Sequence, residues 1–245
     1  MTKVWAHRGA SGYAPENTLE AFALAAEMKA DAVELDVQMT RDGELVVIHD
    51  ETVDRVSGAS GWVKDFSLAE LKKLSVNKPI AGYRAVRIPT LREVYELLKP
   101  TGLEINVELK TGIVFYPQIE EAVLELAAQM GMEDRIWYSS FNHYTLLRLR
   151  EMKEDVRLGM LYADGIYEAA DYAEGLAVDA LHPALYNVQY PDYMEKARQK
   201  KLRVHVWTVN EEEYIRQMGQ LGVDAVITNY PDRARAVLEQ TSVER

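Results

Sequence analysis

The sequence contains no cysteine. Disulfides, thiol nucleophiles and Cys-type zinc sites are therefore excluded, and the redox compartment leaves no trace in the chain. Basic residues are in the minority: 28 Lys and Arg against 39 Asp and Glu give a formal charge of −11. That balance argues against nucleic-acid binding, which draws its affinity from cationic side chains set on phosphates. It argues equally against a cationic protein lying on membrane surfaces. No apolar run reaches the ~18 residues of a membrane-spanning helix, so no stable membrane insertion is expected. No basic region followed by an apolar stretch precedes the first strand-like run, Lys3-Val4-Trp5-Ala6. The expectation is a protein made and kept in the cytoplasm. A Gly-x-Gly-x-x-Gly after a strand is also missing, which weakens a dinucleotide-binding sheet.

What is present is a globular composition, 48 % hydrophobic and 27 % charged over 245 residues, enough for one barrel-sized domain. β-rich runs stand at Val4–Arg8, Val33–Gln38, Ile105–Lys110, Ile136–Ser140, Arg157–Tyr162, Ala180–Pro183, Arg203–Thr208 and Ala225–Asn229. Between them lie amphipathic stretches such as Leu19–Met28, Leu91–Leu98, Ile119–Met130, Tyr144–Met152 and Tyr193–Lys200. Asn17 and Asn142 are candidate N-caps, and Ser67 with Glu70 has capping-box spacing. Eight strand–helix units in this length predict an α/β fold of the TIM-type, a (β/α)8 barrel spanning 1–245. One segment breaks the alternation. About fifty residues separate the second strand from the helix near Thr90, where such loops usually take ~2–6. This insertion, about 40–88, opens as a hairpin turning at Asp42-Gly43 and continues as a small excursion above the barrel.

Carboxylates interrupt the strands. In Val33–Val37, Glu34 and Asp36 share one face, where a barrel strand is ordinarily apolar. Two buried carboxylates need compensation, either a hard divalent cation or a pair of salt bridges at the strand end. The third strand repeats the device with Asn106, Glu108 and Lys110, so Glu108 could complete a three-carboxylate site beside a cation. A two-residue turn at Asp42-Gly43 would pair Arg41 with Glu44 and hence Asp36 with His49, placing His49 beside those carboxylates. A slip of one residue would turn it away. His7 and Arg8 end the first strand before Gly9, at the end of a barrel where catalytic groups collect. His182, closing a strand in Leu181-His182-Pro183, is a candidate at the mouth. Trp207 reads as either core aromatic or pocket wall, while His143 and His205 read as structural.

These residues sit inside a longer ordered pattern: Ala6-His7-Arg8-Gly9-Ala10, Ala14-Pro15-Glu16-Asn17-Thr18, Glu34-x-Asp36-Val37 and Val47-x-His49-Asp50. Ile88-Pro89-Thr90-Leu91, Val107-Glu108-Leu109-Lys110, Ser139-Ser140-Phe141-Asn142, Trp207-Thr208-Val209-Asn210 and Thr228-Asn229-Tyr230-Pro231 follow. The set covers the chain nearly end to end and resembles the glycerophosphodiester phosphodiesterase family, in its compact bacterial cytoplasmic form. The resemblance implies a barrel enzyme that hydrolyses small-molecule glycerophosphodiesters to glycerol 3-phosphate and an alcohol. It implies one divalent metal, Mg2+ or Ca2+, on Glu34, Asp36 and Glu108, with His7 and His49 as the acid–base pair. Arg8 and Lys110 match phosphate-contacting positions, and Trp207, Phe141 and His182 are candidates for the glycerol pocket wall. The chain departs from the family at Ser75-Val76-Asn77-Lys78 before Ala81-Gly82, where many members carry an acidic, glycine-rich turn followed by aromatics. Two other readings share the pattern: a lysophospholipase D-type enzyme with an apolar acyl groove, and a non-catalytic barrel that binds the same diesters.

Overall fold

The structure, a computed structural model, describes residues 1–76, 80 and 82–243. Asn77, Lys78 and Ala81, where the chain departs from the family pattern, lie outside the described residues.

The strands are β1 (Lys3–His7), β2 (Ala32–Met39), β3 (Leu45–Val47), β4 (Glu104–Leu109), β5 (Ile136–Ser140), β6 (Arg157–Tyr162), β7 (Ala180–Pro183), β8 (Arg203–Val206) and β9 (Ala225–Thr228). All but β3 run parallel in the order β1-β9-β8-β7-β6-β5-β4-β2, and β1 also pairs with β2. That pairing closes an eight-stranded barrel, as the alternation of strand and helix predicts. The main helices are α1 (Leu19–Glu27), α2 (Leu68–Leu71), α3 (Leu91–Leu98), α4 (Ile119–Met130), α5 (His143–Met152), α6 (Ala169–Gly175), α7 (Tyr193–Gln199), α8 (Glu212–Leu221) and α9 (Pro231–Val243). Their apolar stripes meet the outward-facing strand residues in the main core, among them Val33, Leu35, Val37, Leu91, Val94 and Leu98. No helix among the described residues is long and apolar enough to cross a membrane.

Cap chemistry follows the sequence at two of three positions. Ser67 and Glu70 form the capping box of α2, and Asn142 accepts from the Tyr144 amide at the start of α5. The cap of α1 is Thr18, not Asn17, because the Thr18 hydroxyl accepts from the Ala21 amide. Asn17 instead takes a left-handed backbone, φ 56°, and spends its side chain elsewhere.

The insertion has its own apolar cluster, Val46, Ile48, Val53, Val56, Val63, Leu71, Val76, Val86 and Ile88. Its hairpin is one residue out of the expected register. Val37 faces Val47, Gln38 faces Val46 and Met39 faces Leu45. The Thr40 amide donates to the Glu44 carbonyl at 3.0 Å, so the loop holds three residues, Arg41-Asp42-Gly43. Gly43 supplies the left-handed φ of 83° that a loop of this length needs. Asp36 therefore lies opposite Ile48, whose amide donates to its carbonyl at 3.0 Å, and not opposite His49. His49 still reaches the site, because β3 ends at Val47 and strict alternation ends with it. The Gln38 side-chain amide draws the departing chain inward, donating to the carbonyls of His49 at 3.0 Å and Asp50 at 2.6 Å.

Candidate active site

Parity along the strands builds the site. Cross-strand neighbours share a face, and the register places His7 beside Glu34, Glu34 beside Asn106, and Asp36 beside Glu108. Glu34, Asp36 and Glu108 consequently converge inside the barrel at the C-terminal ends of its strands, with one oxygen from each carboxylate within 4.8 Å of those of the other two. They are 4 %, 1 % and 8 % exposed, so water cannot dissipate their mutual repulsion. Arg8 is held over them by its backbone. It and Gly9 both take left-handed conformations, φ 54° and 79°, turning the chain at once after β1. A side chain on Gly9 would collide with Ala21, whose backbone carbon lies 2.6 Å from where a Cβ would stand.

Two cations answer three carboxylates. Arg8 Nε lies 3.4 Å from Asp36 Oδ2, and its amide donates to Glu34 Oε2 at 2.9 Å. Lys110 Nζ lies 2.9 Å from Glu108 Oε1 and 3.8 Å from Asp36 Oδ1. Asn17 Nδ2 donates to Asp36 Oδ2 at 2.8 Å, while its Oδ1 accepts from the Asp36 amide at 3.3 Å. Burial would raise Asp36, but Arg8, His49 and Lys110 outweigh it and bring the carboxyl down to about 2. Glu34 goes the other way. Burial first, then the Asp36 and Glu108 charges, push it well above its usual range. Burial also raises Glu108, although Lys110 opposes the shift. Asp36 Oδ1 is buried with no hydrogen-bond partner among the described residues. An over-acidic cluster of hard oxygens, one of them buried and accepting no hydrogen bond, fits a divalent cation.

The histidines flank this cluster. His7 Nδ1 lies 2.7 Å from Asn229 Oδ1, which also receives the Ser11 hydroxyl at 3.1 Å. An amide oxygen only accepts, so His7 carries its proton on Nδ1 and its lone pair on Nε2. The surrounding protein and the Arg8 charge lower His7 to about 4, leaving it neutral. His49 Nδ1 lies 2.6 Å from Asp50 Oδ1, and its Nε2 lies 3.3 Å from Lys110 Nζ. A 230 Å³ cavity joins His7, Arg8, Glu34, His49 and Glu108 to an apolar wall that includes Phe141, Leu161, Trp207 and Ile227. Phe141 and Trp207 meet edge to face at 5.5 Å.

His182 does not line this cavity. It is 0 % exposed and packed at a lower level of the barrel, its Nε2 2.9 Å from His205 Nδ1 and its ring against Trp5. Strand β7 aims His182 inward, and Gly159 on the adjoining strand leaves the room it fills: a Cβ there would stand 2.2 Å from His182 Nε2. His205 lies in the same layer, and His143 contacts Tyr172 Oη at 3.0 Å and the Leu161 carbonyl at 2.9 Å outside the cavity.

Residues 7–233 match the model of the glycerophosphoryl diester phosphodiesterase family. The chain belongs to that family. It is 43 % identical to the glycerophosphodiester phosphodiesterase of Caldanaerobacter subterraneus subsp. tengcongensis over 232 residues, covering 94 % of this chain and 95 % of that one. The glycerophosphodiester phosphodiesterase of Bacillus altitudinis is 39 % identical, over 98 % and 99 % of the two chains. Among solved structures, an Oleispira antarctica phosphodiesterase in complex with sn-glycerol-3-phosphate superposes with a TM-score of 0.87 at 28 % identity, covering 98 % and 97 %. The Thermotoga maritima glycerophosphodiester phosphodiesterase superposes at 0.78 with 31 % identity, covering 95 % and 96 %.

Within this family frame, four residues make contacts around the site that the sequence reading did not assign. Asn17 holds Asp36 at two points, Asn229 sets the tautomer of His7, Asp50 receives His49, and Glu16 receives Arg8 Nη1 at 2.9 Å. Each stands within the family-like motifs, so its place was visible although its partner was not. Asn229 meets His7 across 222 positions.

Proposed function

We propose that this protein hydrolyses glycerophosphodiesters to glycerol 3-phosphate and an alcohol, with a cytoplasmic small molecule as substrate. The observation that carries the reading is the convergence of three buried carboxylates, two cations and two oriented imidazoles at one end of a barrel. Glu34, Asp36 and Glu108 would hold one divalent cation, Mg2+ or Ca2+, whose chemistry is Lewis-acid polarisation of a phosphoryl oxygen. Arg8 and Lys110 stabilise the charge that grows on the phosphoryl oxygens, from positions already fixed before substrate arrives. His7 is the base. It is neutral, and its Nδ1–H bond to Asn229 leaves Nε2 free to take a proton from the nucleophile. His49 is the acid: Asp50 Oδ1 at Nδ1 holds the ring so that Nε2 faces the cavity, where a proton is delivered to the leaving alkoxide. Trp207 and Phe141 form the apolar wall against which the glycerol carbons lie.

The test follows glycerol 3-phosphate released from glycerophosphocholine, with and without EDTA. Chelation should abolish turnover and a divalent cation should restore it; EDTA-insensitive turnover would overturn the metal assignment. His49→Ala should lose about 10²–10⁴ in kcat, the usual worth of a positioned acid or base. Its loss should shrink for a substrate whose leaving group is a nitrophenol, which departs without protonation, while that of His7→Ala should not. The opposite pattern would exchange the two roles.

A further inference from the structure

Arg55 lies in the insertion, six positions after His49 but far in sequence from Glu16 and Arg8, and its guanidinium is the point at which two arms of the site meet. Nε donates to Asp50 Oδ2 at 2.6 Å and Nη2 to Asp50 Oδ1 at 3.0 Å. On the other side, Nη1 and Nη2 donate to Glu16 Oε2 and Oε1, both at 2.7 Å. Each acceptor also holds a member of the site. Asp50 Oδ1 lies 2.6 Å from His49 Nδ1, and Glu16 Oε1 accepts from Arg8 Nη1 at 2.9 Å. We propose that Arg55 is a positioning residue for the diester hydrolysis, locking the His49 acid and the Arg8 phosphate contact into one register through Asp50 and Glu16. The inference rests on the roles given above to His49 and Arg8.

Geometry, more than charge, argues for this. The Arg55 side chain is 43 % exposed, and a lone ion pair so placed contributes little. A planar fork bonded to both oxygens of two carboxylates is different, since it fixes orientation as well as distance. With Arg55 removed, Glu16 keeps Arg8, but Asp50 retains only His49 among these contacts and its carboxylate is released to turn toward water. The His49 ring then loses the support that aims Nε2. A lysine could reach one carboxylate but could not span both in a plane. Nor does folding of the excursion depend on this head group. Val53 and Val56 on either side are 0 % and 5 % exposed within the insertion's own apolar cluster, which anchors the backbone independently.

The experiment measures kcat, KM and thermal midpoint for the metal-loaded protein and its Arg55→Gln, Arg55→Lys, Asp50→Asn and Glu16→Gln variants, with the pairwise combinations. Arg55→Gln should lower kcat about 10–100-fold, the scale of a misplaced catalytic group, with the midpoint nearly unchanged. In the Asp50→Asn background the same change should cost only a few-fold, because the arm it supports is already lost. Arg55→Lys should not restore the rate. Wild-type kcat in Arg55→Gln, full multiplication of the two losses, or rescue by lysine would each overturn the proposal. A readout independent of activity is the low-field Nδ1–H proton resonance of His49, which should be sharp in the wild type and broadened in Arg55→Gln. An unchanged resonance would overturn the positioning role. Wild-type turnover by His49→Ala would instead overturn the catalytic reading, and the resonance would then decide Arg55 alone.

Discussion

The barrel interior has two levels, and β1 and β2 supply both with the same parity. On the upper level β1, β2 and β4 contribute His7, Glu34, Asp36 and Glu108. One step down, residues facing the same interior are Trp5, Ala32, Trp137, Ala180 and Ala225, with His182 and His205 among them. Trp5 lies tilted against His205 with ring centres 4.2 Å apart, and Trp137 meets His205 edge-on at 5.0 Å. Both levels hold histidine, but to different ends. His7 is turned toward a cavity and braced by Asn229, whereas His182 and His205 brace each other. The lower level is a floor that resists collapse of the barrel, and the upper level is a concentration of charge standing on it. The difference teaches that one strand pattern can carry a packed core and a reactive cluster only two residues apart.

Breaking the floor should have the largest effect. Trp5→Ala removes a side chain that is 1 % exposed and in contact with Trp137, His182 and His205. Large-to-small changes of this kind cost about 3–5 kcal/mol. Urea denaturation should show that loss, and the turnover of the fraction remaining folded should stay close to wild type. Loss of activity without loss of stability would mean the two levels are not separable in this way.

That separation was partly legible in the sequence. Glu34 and Asp36 stand out because a barrel strand is apolar on both faces, and charge at such positions demands a reason. The barrel itself followed from the alternation of strands and helices, since each amphipathic stretch needs a sheet to cover. What stayed hidden depended on chain paths that leave regular structure. The Asp36–His49 pairing assumed a two-residue turn at Asp42-Gly43, whereas the loop holds three residues, and His49 reaches the site only because the Gln38 amide draws the chain inward after Val47. Thr18 and Asn17 exchanged roles because both residue types cap helices, and only the position of Asp36 decides between them. His182 ends its strand as His7 does, but nothing local reveals that Gly159 leaves a space beneath the site for its ring. Arg55 lies five positions from Asp50, but the Glu16 it also grips is 39 positions away, so the bridge between the two was not visible.

Acid should sharpen the comparison, with a smaller effect. Burial lowers His182 to about 3 and holds His205 well below its usual range, with the His182 ring adding to the latter shift. Both stay neutral in the folded protein while the unfolded chain binds protons below about pH 6.5. The unfolded state then holds more protons, so stability falls as pH falls through that window. At pH 5.5 each such histidine should cost about 1.4 kcal/mol relative to pH 7.5. Urea unfolding at the two pH values measures the difference, and His182→Asn should reduce it. An identical difference in the variant would show that the imidazole pair is not its source.

The upper level should respond to acid with the opposite sign, and more weakly. Glu34 is pushed up by burial and by its carboxylate neighbours, so the folded protein binds a proton there more readily than the unfolded chain does. Its charged form therefore opposes folding at neutral pH, and protonation relieves that opposition as pH falls through the raised value towards the ordinary one. Glu34→Gln imitates the protonated carboxyl, and its amide oxygen can still accept from the Arg8 amide. In chelated protein at pH 7 the variant should be more stable than wild type, because it removes the charged form that burial and the neighbouring carboxylates disfavour. That advantage should fade as the pH falls and the wild-type carboxyl gains its proton. Saturating Mg2+ or Ca2+ should reverse the order, because binding to the folded state alone stabilises the protein that keeps all three carboxylates. If Glu34→Gln were less stable than wild type both with and without the cation, Glu34 would be a structural partner of Arg8, and the acidic cluster would not be held in tension for a metal.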